Sequence, residues 1–160
     1  MYPDQAVVFN HRARGTAGAL SRHVKDRATN PSILLVDDNL ELLKALAKVL
    51  EKDGYLVVPQ SSATDALKHV NATKQLFDLV ITDVSMPGMN GLGLLAAYKT
   101  AFPQTPVIVI TAFGDWGQYM EALRGGAFEY LNKPLDKNDL LATVKRALGN
   151  GKPQQVSRPQ

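Results

Sequence analysis

Apolar residues in this chain fall into short unbroken runs separated by stretches spaced for helices. The runs are Ile33–Val36, Tyr55–Val58, Leu79–Ile81, Val107–Ile110 and Ala127–Leu131. Runs this short and continuous suit strands buried on both faces. After the first, Leu40, Leu43, Leu46 or Ala47, and Leu50 recur at helical spacing, and Gly54 follows as a C-cap signal. Ser62-Ala63-Thr64-Asp65 reads as a capping box that starts a helix reaching Thr73. Leu92–Phe102 is helical and is closed off by Pro103. Asp115–Arg124 predicts a weaker helix with Gly117 inside it, ended by Gly125-Gly126. Asp136 caps a last helix to Leu148, with Asp139 at its third position.

The pattern is (βα)5. Continuous apolar strands joined by helices imply a parallel sheet covered on both faces, an α/β three-layer, doubly wound architecture. The first, third and fourth runs are the most apolar and are expected at the centre. Residues 31–149 hold the whole pattern and form one expected domain. Residues 1–30 show no sustained period and contain Pro3, Gly15, Gly18 and four arginines, which reads as a disordered or weakly helical basic arm. Residues 150–160, with Pro153, Gln154, Gln155 and Pro159, read as a flexible tail.

Composition narrows the class without changing that picture. The 160 residues fit one ordinary domain, and 45% apolar with 21% charged residues is near a globular average. The absence of cysteine excludes disulfides and thiolate chemistry. No apolar run approaches the ~18 residues of a membrane span, and Ala6–Phe9 is too short for the core of a signal peptide. A cytoplasmic protein without membrane contact is expected. The net charge of +3 hides an asymmetry: residues 1–32 carry +3, residues 150–160 carry +2, and residues 33–149 carry −2. A nucleic-acid interface needs a clustered basic face, so no direct nucleic-acid binding is expected.

Open α/β sheets bind ligands at the carboxyl ends of their strands. The first strand is expected to end in Asp37-Asp38, the third in Asp83 and the fourth in Thr111, and the fifth is followed by Lys133-Pro134. Three carboxylates brought together resist ionisation unless a cation compensates. Lys133 offsets one charge; the hard oxygens that remain suit Mg²⁺. Rival chemistries lack their parts. The glycine-rich loop of a dinucleotide site is replaced by Asp-Asp-Asn, and no P-loop is present. None of His11, His23 and His69 stands at a strand end, which removes the base of a serine hydrolase.

The stretch from about 33 to 148 resembles the receiver domain of two-component response regulators. Asp37-Asp38 resembles the family's acidic pair. Asp83-Val84-Ser85-Met86-Pro87-Gly88-Met89-Asn90-Gly91 is similar to the segment around its phosphorylated aspartate. Thr111-Ala112 and Tyr130-Leu131-Asn132-Lys133-Pro134 resemble its switch threonine, switch aromatic and lysine-proline pair.

The resemblance implies a flavodoxin-like fold with strand order 2-1-3-4-5. It implies that Asp83 accepts a phosphoryl group from the phosphohistidine of a sensor histidine kinase or phosphotransfer protein. Asp38, Asp83 and the Ser85 carbonyl would hold Mg²⁺, with Mn²⁺ as an alternative, and Asp37 would act through water. Lys133 and Thr111 would contact phosphoryl oxygens. Thr111 and Tyr130 would form a switch that reshapes the fourth helix, fifth strand and fifth helix. Lys133-Pro134 would be cis. Phe113 and Trp116 are candidate aromatics for docking a downstream protein, and a homodimer formed on phosphorylation is among the states the resemblance allows.

Two rivals from other classes are less well equipped. A phosphorylation-independent scaffold needs none of Asp38, Asp83, Thr111 and Lys133. A phosphatase of the haloacid-dehalogenase type wants a second acid two residues beyond its nucleophilic aspartate, and position 85 is serine. Twelve residues follow Leu148, which leads to the expectation of a single-domain receiver, although the segment also looks like those fused to transcription regulators. Such a domain is a phosphoacceptor, catalysing its own phosphorylation and dephosphorylation and not turning over an external substrate.

Overall fold

The computed structural model describes residues 30–112 and 115–149. The expected basic arm through residue 29, the tail and Phe113 lie outside them. The elements alternate strictly: β1 (Ser32–Val36), α1 (Leu40–Lys52), β2 (Leu56–Gln60), α2 (Ala63–Thr73), β3 (Leu79–Asp83), α3 (Gly91–Ala101), β4 (Val107–Ala112), α4 (Trp116–Arg124), β5 (Glu129–Lys133) and α5 (Lys137–Leu148). All pairings are parallel, and the strand order is β2-β1-β3-β4-β5. The flavodoxin-like (βα)5 fold and its order are therefore as expected.

Successive strand residues point to opposite faces, so each central strand feeds two cores. Ile33, Leu35, Leu79, Ile81, Ile108 and Ile110 pack under α1 and α5. Leu34, Val36, Val80, Val107 and Val109 pack under α2, α3 and α4. The helices meet them with stripes at the expected spacing. In α1 the buried residues are Leu43, Leu46, Ala47 and Leu50; in α2 they are Ala63, Ala66, Leu67 and Val70. Burying each such Leu, Ile or Val is worth roughly 1.5–3 kcal/mol. In contrast, α4 buries only Ala122, which makes it the least anchored helix.

Helix starts follow the polar residues. Asn39, Ser62, Asn90, Asp115 and Asp136 each accept a backbone N–H of their own first turn, satisfying donors that the helix cannot pair internally.

All five strands differ at one or both ends from their apolar runs; the first begins at Ser32 and stops at Val36, before Asp37. The third strand ends at Asp83 as expected, and the fourth runs one residue past Thr111 to Ala112, because the ladder does not stop where the side chains turn polar: Asp83 lies opposite Ile110, and Ala112 opposite Lys133. The second strand is Leu56–Gln60, not Tyr55–Val58. The Tyr55 N–H is taken by the Leu50 carbonyl at the end of α1, and pairing begins when the Leu56 N–H reaches Pro31. Alternation then turns Val58 and Gln60 toward β1 and Pro59 outward, where a missing donor on an edge strand costs nothing. The fifth strand is Glu129–Lys133, not Ala127–Leu131, since Gly126 takes a positive φ of 84° and the Ala127 N–H still bonds to Ala122.

The start of α3 is pressed against β3. A Cβ on Gly91 would lie 2.0 Å from the Asp83 carbonyl oxygen. Overpacking of this kind costs about 1–3 kcal/mol, occasionally more. Gly91→Ala is therefore expected to lower stability by at least that amount in urea unfolding, and to do so by displacing the Asp83 backbone.

Candidate functional site

Chain reversal in strand order happens at β1, which has β2 on one side and β3 on the other; the crevice beyond β1 and β3 is where such sheets bind ligands. Alternation sorts the residues at this edge onto two faces. Asp37 continues the register of Ile33 and Leu35, Asp83 that of Leu79 and Ile81, and Lys133 that of Leu131. All three belong to the face under α1 and α5. Thr111 and Tyr130 belong to the other face, toward α4.

The first group forms a compact ionic cluster. Asp37 and Asp83 are 2% and 5% exposed. Lys133 Nζ lies 3.2 Å from Asp37 Oδ2 and 3.3 Å from Asp83 Oδ2. The other oxygen of Asp37 accepts the Asn39 N–H at 2.9 Å. Asp38 is exposed, and one oxygen from each of Asp37, Asp38 and Asp83 falls within 4.8 Å of the others. Ser85 is exposed beside them. The Lys133–Pro134 bond is cis, turning the chain straight out of β5 into α5.

Burial raises the Asp83 carboxyl above the ordinary aspartate range, and the Asp37 charge adds to this; Lys133 and the Ser85 backbone N–H pull it down without cancelling the effect. Lys133 shows the converse. Burial pushes its pKa down, but Asp83 and Asp37 outweigh that and hold it above the ordinary lysine value. One ammonium thus pairs with two members of a three-carboxylate cluster. That donor set of hard oxygens with uncompensated negative charge fits Mg²⁺, which takes carboxylates alongside water and phosphate oxygens.

The second group is bound to the start of α4. Thr111 is 1% exposed, and its hydroxyl donates to Gln118 Oε1 at 3.0 Å. The half-buried Tyr130 donates its hydroxyl to the Asp115 carbonyl at 3.4 Å. Burial raises the Tyr130 pKa, with hydrogen bonding to Thr111 acting against it and the Asp115 charge adding to it. The Tyr119 ring meets Tyr130 edge-on at 5.0 Å and stacks on Trp116 at 4.9 Å. Trp116 itself is 63% exposed. Gln118 and Tyr119 escaped the sequence reading. The available signal was their place in the first turn of the helix that follows Thr111, but polar and aromatic residues there read equally well as surface. His69 lies on α2, near Gln75 and Phe77 and far along the chain from every strand end.

Residues 33–145 match the response regulator receiver domain family. The chain belongs to that family. The transcriptional regulatory protein ZraR of Escherichia coli K12 is 40% identical over 121 residues, covering 76% of this chain and 27% of its own length. The response regulator protein FleR of Pseudomonas aeruginosa is 42% identical over 118 residues, covering 73% of this chain and 24% of FleR. Among solved structures, a receiver domain from Clostridium thermocellum superposes with a TM-score of 0.71 at 35% identity, covering 76% of this chain and 97% of its own. A CheY-like receiver from Methanospirillum hungatei gives 0.72 at 29% identity, over 76% and 96% of the two chains. This receiver spans about a quarter of the length of the curated relatives it matches. They lend no support to the expectation of a single-domain chain. No described helix is long and apolar enough to cross a membrane.

The raised Asp83 pKa has a stability consequence with a definite sign. The folded receiver holds the Asp83 proton to higher pH than the unfolded chain does. Stability is therefore lost as the pH rises from the unfolded to the folded pKa, a loss that a side chain unable to ionise at position 83 escapes. In chelator, Asp83→Asn is expected to melt at higher temperature than wild type at pH 7. The gap should narrow as the pH falls toward about 4, the ordinary aspartate value. An equal or lower melting temperature at pH 7 would contradict the burial argument.

Proposed function

We propose that this receiver signals by accepting a phosphoryl group on Asp83. The observation that carries the reading is the buried pair Asp37 and Asp83 sharing Lys133 at the carboxyl edge, with Asp38 exposed beside them. Asp83 Oδ attacks the phosphorus of a phosphohistidine on a sensor kinase or phosphotransfer protein. The new P–O bond replaces the P–N bond, whose electrons return to the donor imidazole. Such transfer depends on in-line positioning and charge neutralisation more than on covalent help. Mg²⁺, or Mn²⁺ in its place, supplies part of that neutralisation when bound. Asp38, Asp83 and the Ser85 carbonyl are its proposed ligands, with Asp37 acting through water. Lys133 holds one phosphoryl oxygen and the Thr111 hydroxyl holds another. The same residues then serve hydrolysis of the acyl phosphate, so the receiver acts on itself and is not a turnover enzyme.

Incubation with acetyl phosphate and Mg²⁺ followed by intact-mass measurement tests the reading. A labile phosphoryl adduct is expected on wild type and none on Asp83→Ala. An adduct that persists on Asp83→Ala would place the chemistry elsewhere.

The output reading is a change at α4, β5 and α5. A phosphoryl group adds roughly 1.5–2 negative charges, enough to bias an element with two arrangements. Thr111 moves toward the phosphoryl group and Tyr130 turns inward, with α4 free to follow. The surface so altered docks a downstream protein or a second phosphorylated copy. Family membership and the mildly acidic receiver segment favour a cytoplasmic protein partner over direct nucleic-acid binding. Exposed Trp116, together with Phe113, is the proposed aromatic anchor, a residue type favoured at binding hot spots. Trp116→Ala is expected to weaken capture of the phosphorylated receiver's partner without slowing adduct formation; an equal loss of both would remove Trp116 from the docking surface.

A further inference from the structure

Both residues of the proposed switch are held by one short stretch of α4. The Thr111 hydroxyl donates to the Gln118 side chain. The Tyr130 hydroxyl donates to the carbonyl of Asp115, the N-cap of the same helix, and its ring abuts Tyr119. A hydroxyl has one proton to donate. While Thr111 gives that proton to Gln118, it has none for an oxygen in the Asp83 crevice. Gln118 is half-buried, and its backbone N–H is bonded to Asp115 Oδ1 at 3.0 Å. The cap of the helix therefore fixes the backbone that carries this acceptor, and the side chain is partly sheltered from solvent.

We propose that Gln118 is a latch: its side-chain oxygen holds the Thr111 hydroxyl on the α4 side of the sheet and so sets how often the resting receiver adopts the arrangement able to stabilise a phosphoryl group on Asp83. The proposal rests on the phosphoacceptor reading and adds a positioning residue to it. Gln118 touches no reacting atom; it acts through Thr111. It also gives α4 its part in the transition. Release of Thr111 removes a side-chain contact that ties the first turn of α4 to β4, and α4 buries only Ala122 to keep it in place. The tie that Thr111 makes to Gln118 is one neutral hydrogen bond beside the Tyr130 hydroxyl, so a modest bias displaces it, which suits an element that must respond to a single added group.

The latch predicts a coupling that a structural role does not. Adduct formation from sub-saturating acetyl phosphate and Mg²⁺ is timed by intact mass for wild type, Gln118→Leu, Thr111→Val and the double variant. Loss of one neutral hydrogen bond is expected to make Gln118→Leu faster than wild type on the order of three- to tenfold. In the Thr111→Val background Gln118 has no hydroxyl to hold, so adding Gln118→Leu is expected to change nothing. Such a cycle isolates the pairwise interaction. Gln118→Ala, which adds no apolar surface, should reproduce the same pair of ratios if Gln118→Leu disturbs the fold. An unchanged or slower rate in Gln118→Leu and Gln118→Ala, or the same acceleration with and without the Thr111 hydroxyl, overturns the latch while leaving the phosphoacceptor reading intact. No adduct on wild type overturns that reading and the latch with it.

Discussion

An ammonium group is attracted to carboxylates in water by only about 1 kcal/mol at 4 Å, and by several times more where water is scarce. Lys133 uses the second regime. Asp37 and Asp83 are buried at the ends of adjacent strands, where their charges repel one another and each pays for lost hydration. Lys133, arriving from the far edge strand, lies within 3.3 Å of both. Its attraction lets the two acids coexist but leaves Asp83 under-compensated. That residual imbalance is the electrostatic basis of the cation binding and phosphoacceptor chemistry proposed for Asp83, and it exists only because the β2-β1-β3-β4-β5 order brings three strand ends into one place.

The sheet's alternation divides the labour. Residues in one register, Asp37, Asp83 and Lys133, point to the charged cluster. Residues in the other, Thr111 and Tyr130, point to α4. A neighbouring pair such as Leu131 and Tyr130 thus serves a core on one side and a helix start on the other. The proposed chemistry and its proposed readout are separated by the thickness of a single backbone. Side chains on the two faces can influence each other only at the rim, where Thr111 stands beside the strand that carries Asp83.

The sequence made the (βα)5 alternation, the two-sided burial and the strand-end residues legible, because apolar runs and helical spacing are local signals. Strand ends were less legible. Ala112 belongs to β4 because it pairs with Lys133, which polarity does not encode. The shift of β5 came from a tertiary constraint, the Ala127 N–H held by α4. At the site, acids and lysine were visible as residue types that need a reason to be near one another. Gln118 was not visible, since an amide on a helix surface has a common explanation that requires no partner.

Pro59 carries a consequence for how this receiver can associate. It lies in β2, at the rim of the sheet, with its ring nitrogen turned away from β1. A foreign strand approaching that rim would find a gap in the row of donors it needs, and open sheet rims are the usual starting point of unwanted strand addition. The exposed Leu56 nearby would otherwise make the rim adhesive. The proline works as a guard, closing this rim to an incoming strand.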